Sequence, residues 1–352
     1  MKKIFFLLLI LIPFNIRALE TSAQSVILMD QDSKRILYSK DIHNVRSVAS
    51  ISKIMTAVVA LEKGNLNKKV TIGEEIIGAY GSGIYIKQGE KLTLKDLLYG
   101  LMLRSGNDAA LAIAYHVSGS VDKFVIEMNS LAKKIGMKNT TFNNPSGLDQ
   151  EKGNYSTSYD MALLQSYAMK NDTYRKIVGT KKYTLKTNKN VYVWHNKNKL
   201  LRMYEYTTGG KTGFTEKARR TLVTSASYNN LNLVVVTLND GNDFNDHKNL
   251  FEYGFNNYKR IKILKKGYLK IDGENYYKKK LYIKNDIYYP LTNSEEKNIS
   301  IDYHLTKKRL YKNRSKVGYL IIKLGDKEIN RTDIYILKKG KLWLIKYGLF
   351  LS

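Results

Sequence analysis

The order of apolar and polar positions predicts a hairpin followed by a buried helix at the start of the chain. Two short apolar runs, Val26–Met29 and Ile36–Ser39, flank the polar turn Asp30–Lys34, which is typical of a β-hairpin. The segment Ser50–Lys63 then carries apolar residues around most of its circumference, and Gly64 stands as its C-terminal stop. We therefore expect this helix to lie inside the domain.

The patterns downstream extend this layout into one α+β domain. Further helices are predicted at Leu94–Leu103, Asp108–Val117, Val121–Ile135 and Tyr159–Lys170. Strand patterns and a closing helical pattern follow at Val191–Trp194, Thr221–Ser227, Leu231–Leu238 and Phe244–Tyr258. A hairpin, a block of helices, paired strands and a closing helix predict a mostly antiparallel sheet faced by helices over residues 24–258.

The chain changes character after residue 258. Short apolar or alternating runs are separated by charged residues or by Gly, Asp and Asn turns. These runs are Leu281–Ile283, Ile287–Tyr289, Tyr319–Ile322 and Ile334–Leu337. The pattern predicts a small all-β domain over residues 259–340.

The N-terminus has the pattern of an export signal. Two lysines precede the unbroken apolar run Ile4–Ile12, which is too short for an ordinary membrane span. We expect residues 1–23 to direct export, to the outer face of the cytoplasmic membrane or the cell wall. Cleavage after Ala18 and cleavage after Ala23 both fit, and a retained anchor is the alternative.

Charge and the last residues indicate which surfaces the protein meets. The formal net charge is +28, and basic proteins attract polyanions, although a biased composition would also raise it. Export argues against nucleic acid and favours anionic lipids and wall polymers. Residues 342–351 are apolar apart from Lys346, and the segment 341–352 is shorter than the roughly 20 residues that a spanning helix needs. We expect this segment to lie on an anionic membrane surface, the alternative being a last element of the β-domain.

Missing residue types exclude several chemistries. The chain has no cysteine, so disulfides, thiolate catalysis and cysteine-ligated metals are excluded. The five histidines show no paired spacing. We therefore predict no metal site and no cofactor.

A Ser-x-x-Lys motif is the first candidate for catalysis. Ser50 and Lys53 lie on one face at the start of the predicted buried helix. A lysine whose pKa is lowered by burial can take the proton of a serine nucleophile. The same spacing recurs at Ser120–Lys123, Ser130–Lys133 and Ser294–Lys297, but these serines lie in polar, charge-rich settings.

Two more motifs follow in a diagnostic order. Ser105 and Asn107 form a Ser-x-Asn motif, which recurs at Ser227–Asn229, whereas Lys-Thr-Gly occurs once, at Lys211–Gly213. Successive motifs begin 55 and 106 residues apart. In this order they form the signature of penicillin-binding proteins and serine β-lactamases.

The sequences around the motifs make the resemblance more specific. Residues 49–56, 103–110, 144–148 and 155–162 resemble landmarks of the low-molecular-mass penicillin-binding D-alanyl-D-alanine carboxypeptidases, and the likeness extends over about residues 22–258. It implies a penicillin-binding/serine β-lactamase-like fold. It also implies a serine peptidase that removes the terminal D-alanine from peptidoglycan stem pentapeptides and so limits cross-linking. Stem peptides would be its substrates and β-lactam antibiotics its covalent inhibitors.

The resemblance implies five catalytic residues. Ser50 attacks the carbonyl of the penultimate D-alanine, and Lys53 takes its proton. Ser105 relays a proton to the departing D-alanine, and Lys211 tunes that relay electrostatically. Asn107 binds the substrate amide and helps to orient Lys53.

Three further residues are implied to bind substrate. Thr212 meets the terminal carboxylate, and the strand at Gly213 pairs with the stem peptide. The backbone N–H groups of Ser50 and Phe214 form the oxyanion hole.

One departure from the family pattern concerns the terminal carboxylate. Many members have a supporting arginine just before the last helix of the domain, whereas residues 240–246 here hold three aspartates and no arginine. Arg219 or Arg220 could substitute, although a strand-surface charge is the simpler interpretation of each.

Other functions on this fold remain open. A class A β-lactamase would need a Glu-x-x-Leu-Asn segment between Asn107 and Lys211, and none occurs there. An endopeptidase that cuts cross-linked stem peptides would use the same serine and lysine. A catalytically silent wall-binding protein would be expected to lose at least one motif, and all three are intact.

Overall fold

The structure is a computed structural model that describes five stretches of the chain, which are residues 20–149, 152–274, 276–277, 280–307 and 311–337. Most of the predicted export segment lies outside these residues, as does all of the predicted membrane segment 341–352. The described residues form two units. The first unit consists of the described residues up to 31 together with residues 36–227 and 233–254. The second unit consists of residues 32–35 and 228–232 together with the described residues from 255 onward.

The first unit contains a mixture of short and long elements. Its strands are β1 Ser25–Asp30, β2 Ile36–Lys40, β3 Arg46–Ser47, β4 Lys69–Thr71, β5 Lys91–Thr93, β6 Tyr155–Ser156, β7 Lys182–Lys186, β8 Val191–His195, β9 Thr207–Thr215, β10 Arg219–Tyr228 and β11 Leu231–Leu238. Its helices are α1 Lys53–Lys63, α2 Leu94–Tyr99, α3 Asn107–Ser118, α4 Val121–Lys134, α5 Ser158–Ala168, α6 Asp172–Gly179, α7 Leu200–Met203 and α8 Asp243–Asn257.

A five-stranded sheet in the order β2-β1-β11-β10-β9 organises this unit. Strand β1 pairs antiparallel with β2 and β11, and β10 pairs antiparallel with β9. Every residue of β1 is buried because helices cover the sheet, and α8 packs so closely that a Cβ at Gly254 would lie 2.6 Å from Leu233. The predicted α+β architecture is confirmed.

Helix α1 lies at the centre of the helical layer. Its first eight residues, Lys53–Ala60, are all buried, and it contacts α3, α4 and α5. The predicted helix from Ser50 differs at its start, because Ala49–Ser52 form a 3₁₀ turn that leads into α1. The predicted helix Leu94–Leu103 likewise changes at Gly100–Arg104, where the backbone widens into a π-helical turn.

The second unit is built from strands. They are β12 Lys259–Leu264, β13 Gly267–Tyr268, β14 Leu281–Ile283, β15 Ile287–Leu291, β16 Ile299–Leu305, β17 Lys316–Leu324 and β18 Lys327–Ile336. Five of them form a sheet in the order β13-β14-β18-β17-β16, and β12 pairs with β15. Alternate residues such as Leu320, Ile322 and Ile334 bury one face of that sheet in a small apolar core. In the part of the chain that the structure describes, no helix is both long and apolar enough to span a bilayer.

Candidate active site

Close backbone packing sets the position of Ser50. The half-buried serine lies in the 3₁₀ turn before α1, directly after Ala49, whose φ of 48° is in the left-handed region that non-glycine residues rarely adopt. Gly147, at φ 82°, packs against this turn, and a Cβ there would lie 2.1 Å from the Ala49 carbonyl oxygen. Only glycine satisfies both the conformation and the contact. The nucleophile segment is therefore held by a second loop.

Lys53 is a buried amine that reaches Ser50. Its side chain is fully buried, and Nζ lies 3.0 Å from Ser50 Oγ and 2.7 Å from Asn107 Oδ1 and also donates to the Ser146 carbonyl oxygen. Burial, with a smaller contribution from the charge of Lys197, lowers the pKa of Lys53 to about 7.

The partners of Lys53 determine what its neutral form can do. A neutral amine has two N–H donors and one lone pair. The Asn107 and Ser146 oxygens only accept hydrogen bonds, so they take the two donors. The lone pair is then left for the hydroxyl of Ser50, which is the geometry of a base beside its nucleophile.

Asn107 is fixed by a loop that borders the site. Its Nδ2 donates to the Tyr80 carbonyl oxygen at 2.6 Å, which aims Oδ1 at Lys53, and its backbone N–H donates to the Ser82 carbonyl oxygen at 2.7 Å. Asp108 anchors the same loop, because its carboxylate accepts hydrogen bonds from the backbone N–H groups of residues 84–86 at 2.7–3.3 Å. One turn of α3 therefore orients the lysine and holds the loop.

Ser105 and Lys211 form a second serine–lysine pair. Ser105 follows the π-helical turn at φ 66°, and its Oγ accepts a hydrogen bond from Lys211 Nζ at 3.0 Å. Lys211 is 1% exposed and also donates to the Thr212 carbonyl oxygen at 2.6 Å. Burial, and then the charges of Lys53 and Lys197, lower the pKa of Lys211 well below that of an ordinary lysine.

Strand β9 runs beside the backbone of the nucleophile. A Cβ at Gly213 would lie 2.4 Å from Thr221 Oγ1 and 3.0 Å from the Ser50 backbone nitrogen, so the strand requires glycine there. Thr221 in turn donates to the Val48 carbonyl oxygen at 3.1 Å and ties β10 to the segment before Ser50. Phe214 follows Gly213 and is 61% exposed.

A cleft of about 590 Å³ opens over these groups. Ser50, Ser105, Thr212, Gly213 and Phe214 line it. Lys53, Asn107 and Lys211 lie buried beneath and contact the lining serines or one another. The structure thus brings together all eight residues that the sequence singled out.

Sequence reasoning missed two groups that shape the site. Ser146 lies within the recognised segment 144–148, but nothing in its residue type indicated that its carbonyl oxygen would accept from Lys53. Lys197 lines the cleft, with Nζ 3.1 Å from Ser82 Oγ. It could not be told apart from the many other lysines of the chain.

The described residues contain no donor cluster for a metal site. Within the described ranges, no group of three or more His, Asp or Glu side chains is arranged to hold an ion. His247 is buried between the hydroxyls of Thr224 and Thr237, at 2.5 Å and 3.0 Å, and burial lowers the pKa of His247 to about 3. It is therefore a neutral, hydrogen-bonded part of the packing.

Two family models match the chain. Residues 13–242 match the S11 peptidase family of D-alanyl-D-alanine carboxypeptidases, and residues 258–341 match the C-terminal domain of penicillin-binding protein 5. The first match covers well over half of the chain.

Individual proteins agree with these matches. The chain is 30% identical to the D-alanyl-D-alanine carboxypeptidase DacA of Haemophilus influenzae over an alignment that covers 94% of this chain and 90% of that protein. It is 38% identical to DacF of Bacillus subtilis over 220 residues, or 61% of this chain and 56% of that protein. The crystal structure of penicillin-binding protein 5 from Haemophilus influenzae superposes with a TM-score of 0.75 at 28% identity, covering 90% of this chain and 97% of that one.

Proposed function

Because this chain belongs to the D-alanyl-D-alanine carboxypeptidase family, we propose that Ser50 and Lys53 remove the terminal D-alanine from peptidoglycan stem pentapeptides. Family membership confirms the resemblance predicted from the motifs, including the serine-type hydrolase. The observation that carries the assignment to these residues is the 3.0 Å contact between Lys53 Nζ and Ser50 Oγ, made by a fully buried lysine whose pKa is about 7. A lysine in that state is partly neutral at physiological pH and can act as a base.

Acylation begins at Ser50. Its Oγ attacks the carbonyl carbon of the penultimate D-alanine while Lys53 accepts the hydroxyl proton. Negative charge then builds on the carbonyl oxygen, and the backbone N–H groups of Ser50 and Phe214 stabilise it. The close approach of Gly213 to the Ser50 nitrogen supports this placement, because Phe214 comes next on the same strand.

The second serine–lysine pair serves the leaving group. As the C–N bond breaks, the Ser105 hydroxyl gives its proton to the nitrogen of the departing D-alanine. The Lys211 amine, 3.0 Å from Ser105 Oγ, stabilises the negative charge that this transfer leaves on the oxygen. The proton that Lys53 took from Ser50 must then pass to Ser105, which restores the Ser105 hydroxyl and the neutral amine of Lys53. Water attacks the Ser50 ester with Lys53 as base, and the proton passes on to Ser50 Oγ as the tetrapeptide leaves.

The cleft lining supports the proposed binding roles. Gly213 lies on β9, the edge strand of the sheet, where an extended stem peptide can add as a further strand. Thr212 lines the same cleft and would meet the terminal carboxylate. Asn107 has a second amide N–H beyond the one that it gives to Tyr80, and this donor would hold the substrate amide.

Digestion of defined muropeptides tests the reaction. The protein incubated with a pentapeptide monomer should yield a product lighter by one alanine, seen by mass spectrometry, together with free D-alanine. Protein pre-treated with penicillin is the control and should yield neither. Cleavage of cross-linked dimers with pentapeptides left intact would point to an endopeptidase. Rapid turnover of penicillin would point to a β-lactamase.

Contacts near the predicted export signal favour the earlier cleavage site. Ser22 Oγ donates to Asp240 Oδ1 at 2.5 Å, and the Ser22 backbone N–H donates to Asp246 Oδ2 at 2.7 Å. Cleavage after Ala23 would remove these donors from two buried carboxylates, which is costly. We therefore propose cleavage after Ala18, and the intact mass of the exported protein tests this.

Deleting residues 341–352 should release the protein from the membrane fraction into the soluble fraction. The segment is proposed to lie in the membrane interface, with Trp343 and Tyr347 at headgroup level and nearby lysines against anionic lipid. Fractionation of cells checks this, with penicillin labelling of Ser50 as the folding control. A truncated protein that stays with the membrane, or that loses labelling, would show that the segment is not a peripheral anchor.

A further inference from the structure

Residues 240–246, which lack the arginine that the family pattern predicts, contain three aspartates in two different environments. Asp240 and Asp246 are buried and hydrogen-bonded to Ser22, so they belong to the packing around the start of α8. Asp243 instead lines the cleft with its side chain 5% exposed. An acidic group at this point would repel a substrate carboxylate unless a cation is held beside it.

Arg220 is that cation. Its Nε and Nη2 donate to the two carboxylate oxygens of Asp243 at 3.2 Å and 2.5 Å, which is a bidentate pair. The guanidinium also lies over the Phe244 ring, 5.5 Å from its centroid. Asp243 is itself fixed at the start of α8, where its Oδ1 accepts the Phe244 backbone N–H at 2.8 Å. The guanidinium is therefore oriented by contacts on two sides.

Strand register places Arg220 on the cleft side of β10. Arg220 pairs with Phe214 of β9, and the next residue, Thr221, pairs with Gly213 and turns inward to the Val48 carbonyl oxygen. Because successive side chains of a strand point to opposite faces, Arg220 points outward into the cleft that Ser50 and Thr212 also line. Arg220 is therefore an exposed strand residue that also lines the cleft and is paired with Asp243. Arg219 is exposed and is not part of that lining.

Donors remain on Arg220 for a ligand. A guanidinium has five N–H groups, and Asp243 takes two of them, so three remain. The Arg220 side chain is 46% exposed, which leaves these donors accessible from the cleft. The pairing also compensates the charge of Asp243, so the site is not repulsive to an anion.

We propose that Arg220, oriented by Asp243, binds the terminal carboxylate of the substrate and makes this protein selective for peptides with a free C-terminus. The inference rests on the proposed function. In this protein Arg220 on β10 would take the role of the arginine expected before α8. Asp243, at the start of α8, would be a positioning residue for Arg220.

The test compares two peptides that differ only at the C-terminus, one ending in D-Ala-D-Ala with a free carboxylate and the other with a C-terminal amide. Wild-type protein should cleave the carboxylate peptide with the higher kcat/KM. Arg220→Ala should lower kcat/KM for the carboxylate peptide by about 10- to 100-fold, the scale of a lost charge-assisted pair, and should leave the amide peptide nearly unchanged. The ratio of kcat/KM for the carboxylate peptide to kcat/KM for the amide peptide should therefore fall towards one.

Matched variants separate this role from general damage. Arg219→Ala removes the same charge one residue away and should leave both rates and their ratio unchanged. Asp243→Asn keeps an oxygen that can accept the Phe244 backbone N–H but removes the charge that pairs with the guanidinium, so KM for the carboxylate peptide should rise more than kcat falls. Arg220→Lys keeps the charge without the bidentate geometry and should retain part of the ratio.

Three outcomes would overturn the inference. Equal loss on both peptides in Arg220→Ala would indicate a structural role, and no loss on either would indicate no role. An Arg219→Ala variant that matches Arg220→Ala would indicate a general effect of charge. If wild-type protein cleaves neither peptide, the proposed function itself fails, which is a distinct result.

Discussion

Ser50→Ala should fold normally and form no covalent adduct with penicillin. The substitution removes only a half-buried hydroxyl, and Lys53 keeps its hydrogen bonds to Asn107 and Ser146, so no buried amine is left without partners. Without the hydroxyl there is no atom to form the ester. Intact-protein mass spectrometry after incubation with penicillin measures the adduct directly, and thermal unfolding checks the fold.

The other Ser-x-x-Lys serines are the controls for this result. Ser120→Ala, Ser130→Ala and Ser294→Ala should all label at the wild-type level. Ser120 caps α4 through a 3.2 Å hydrogen bond from the Lys123 backbone N–H, so its loss should cost about 1 kcal/mol of stability without affecting labelling. An adduct of full yield on the Ser50→Ala protein would mean that the nucleophile is another residue.

Lys53→Arg should lower the rate of acylation by penicillin by at least about 100-fold, the usual scale of general-base catalysis. Arginine keeps the positive charge but does not deprotonate in proteins, so it cannot accept the Ser50 proton. Stopped-flow measurement of acylation gives the rate. Lys123→Arg, at the same position of another Ser-x-x-Lys motif, should acylate like wild type.

The pH profile identifies the base independently. Burial lowers the pKa of Lys53 to about 7, so the neutral form dominates above that pH. The wild-type acylation rate should therefore rise about tenfold per pH unit below pH 7 and level off above it. This acidic limb should disappear in Lys53→Arg. A limb that persists there would assign the titration to another group, and a near wild-type rate would remove Lys53 from the role of base.

Local patterns along the chain determined much of the fold and the first catalytic contact. Strand β1 and helix α1 could be predicted because a short apolar run beside a polar turn, and a longer apolar segment ended by Gly64, are signals that depend only on neighbouring residues. Ser50 and Lys53 are three residues apart at the start of a helix, so helical geometry alone brings the amine to the hydroxyl. The patterns did not reveal α6 or β7, because both elements are short and rich in polar residues.

The motifs of the sequence also pointed to the family and its activity, because Ser105, Asn107 and Lys211 occur in the family's order. Whether they meet could not be read from a local pattern. Asn107 lies 54 residues from Lys53, and Lys211 lies 106 residues from Ser105, so the sheet and helix topology had to bring them within 3.0 Å.

Tertiary structure alone decided the electrostatics of the cleft. The sequence offered Arg219 and Arg220 as neighbours of equal charge, and only the register of β10 against β9 determined that Arg220 faces the cleft. Its partner Asp243 is 23 residues away, at the start of α8. The low pKa of Lys53 has the same origin, because the burial that lowers it depends on how distant segments pack around the amine.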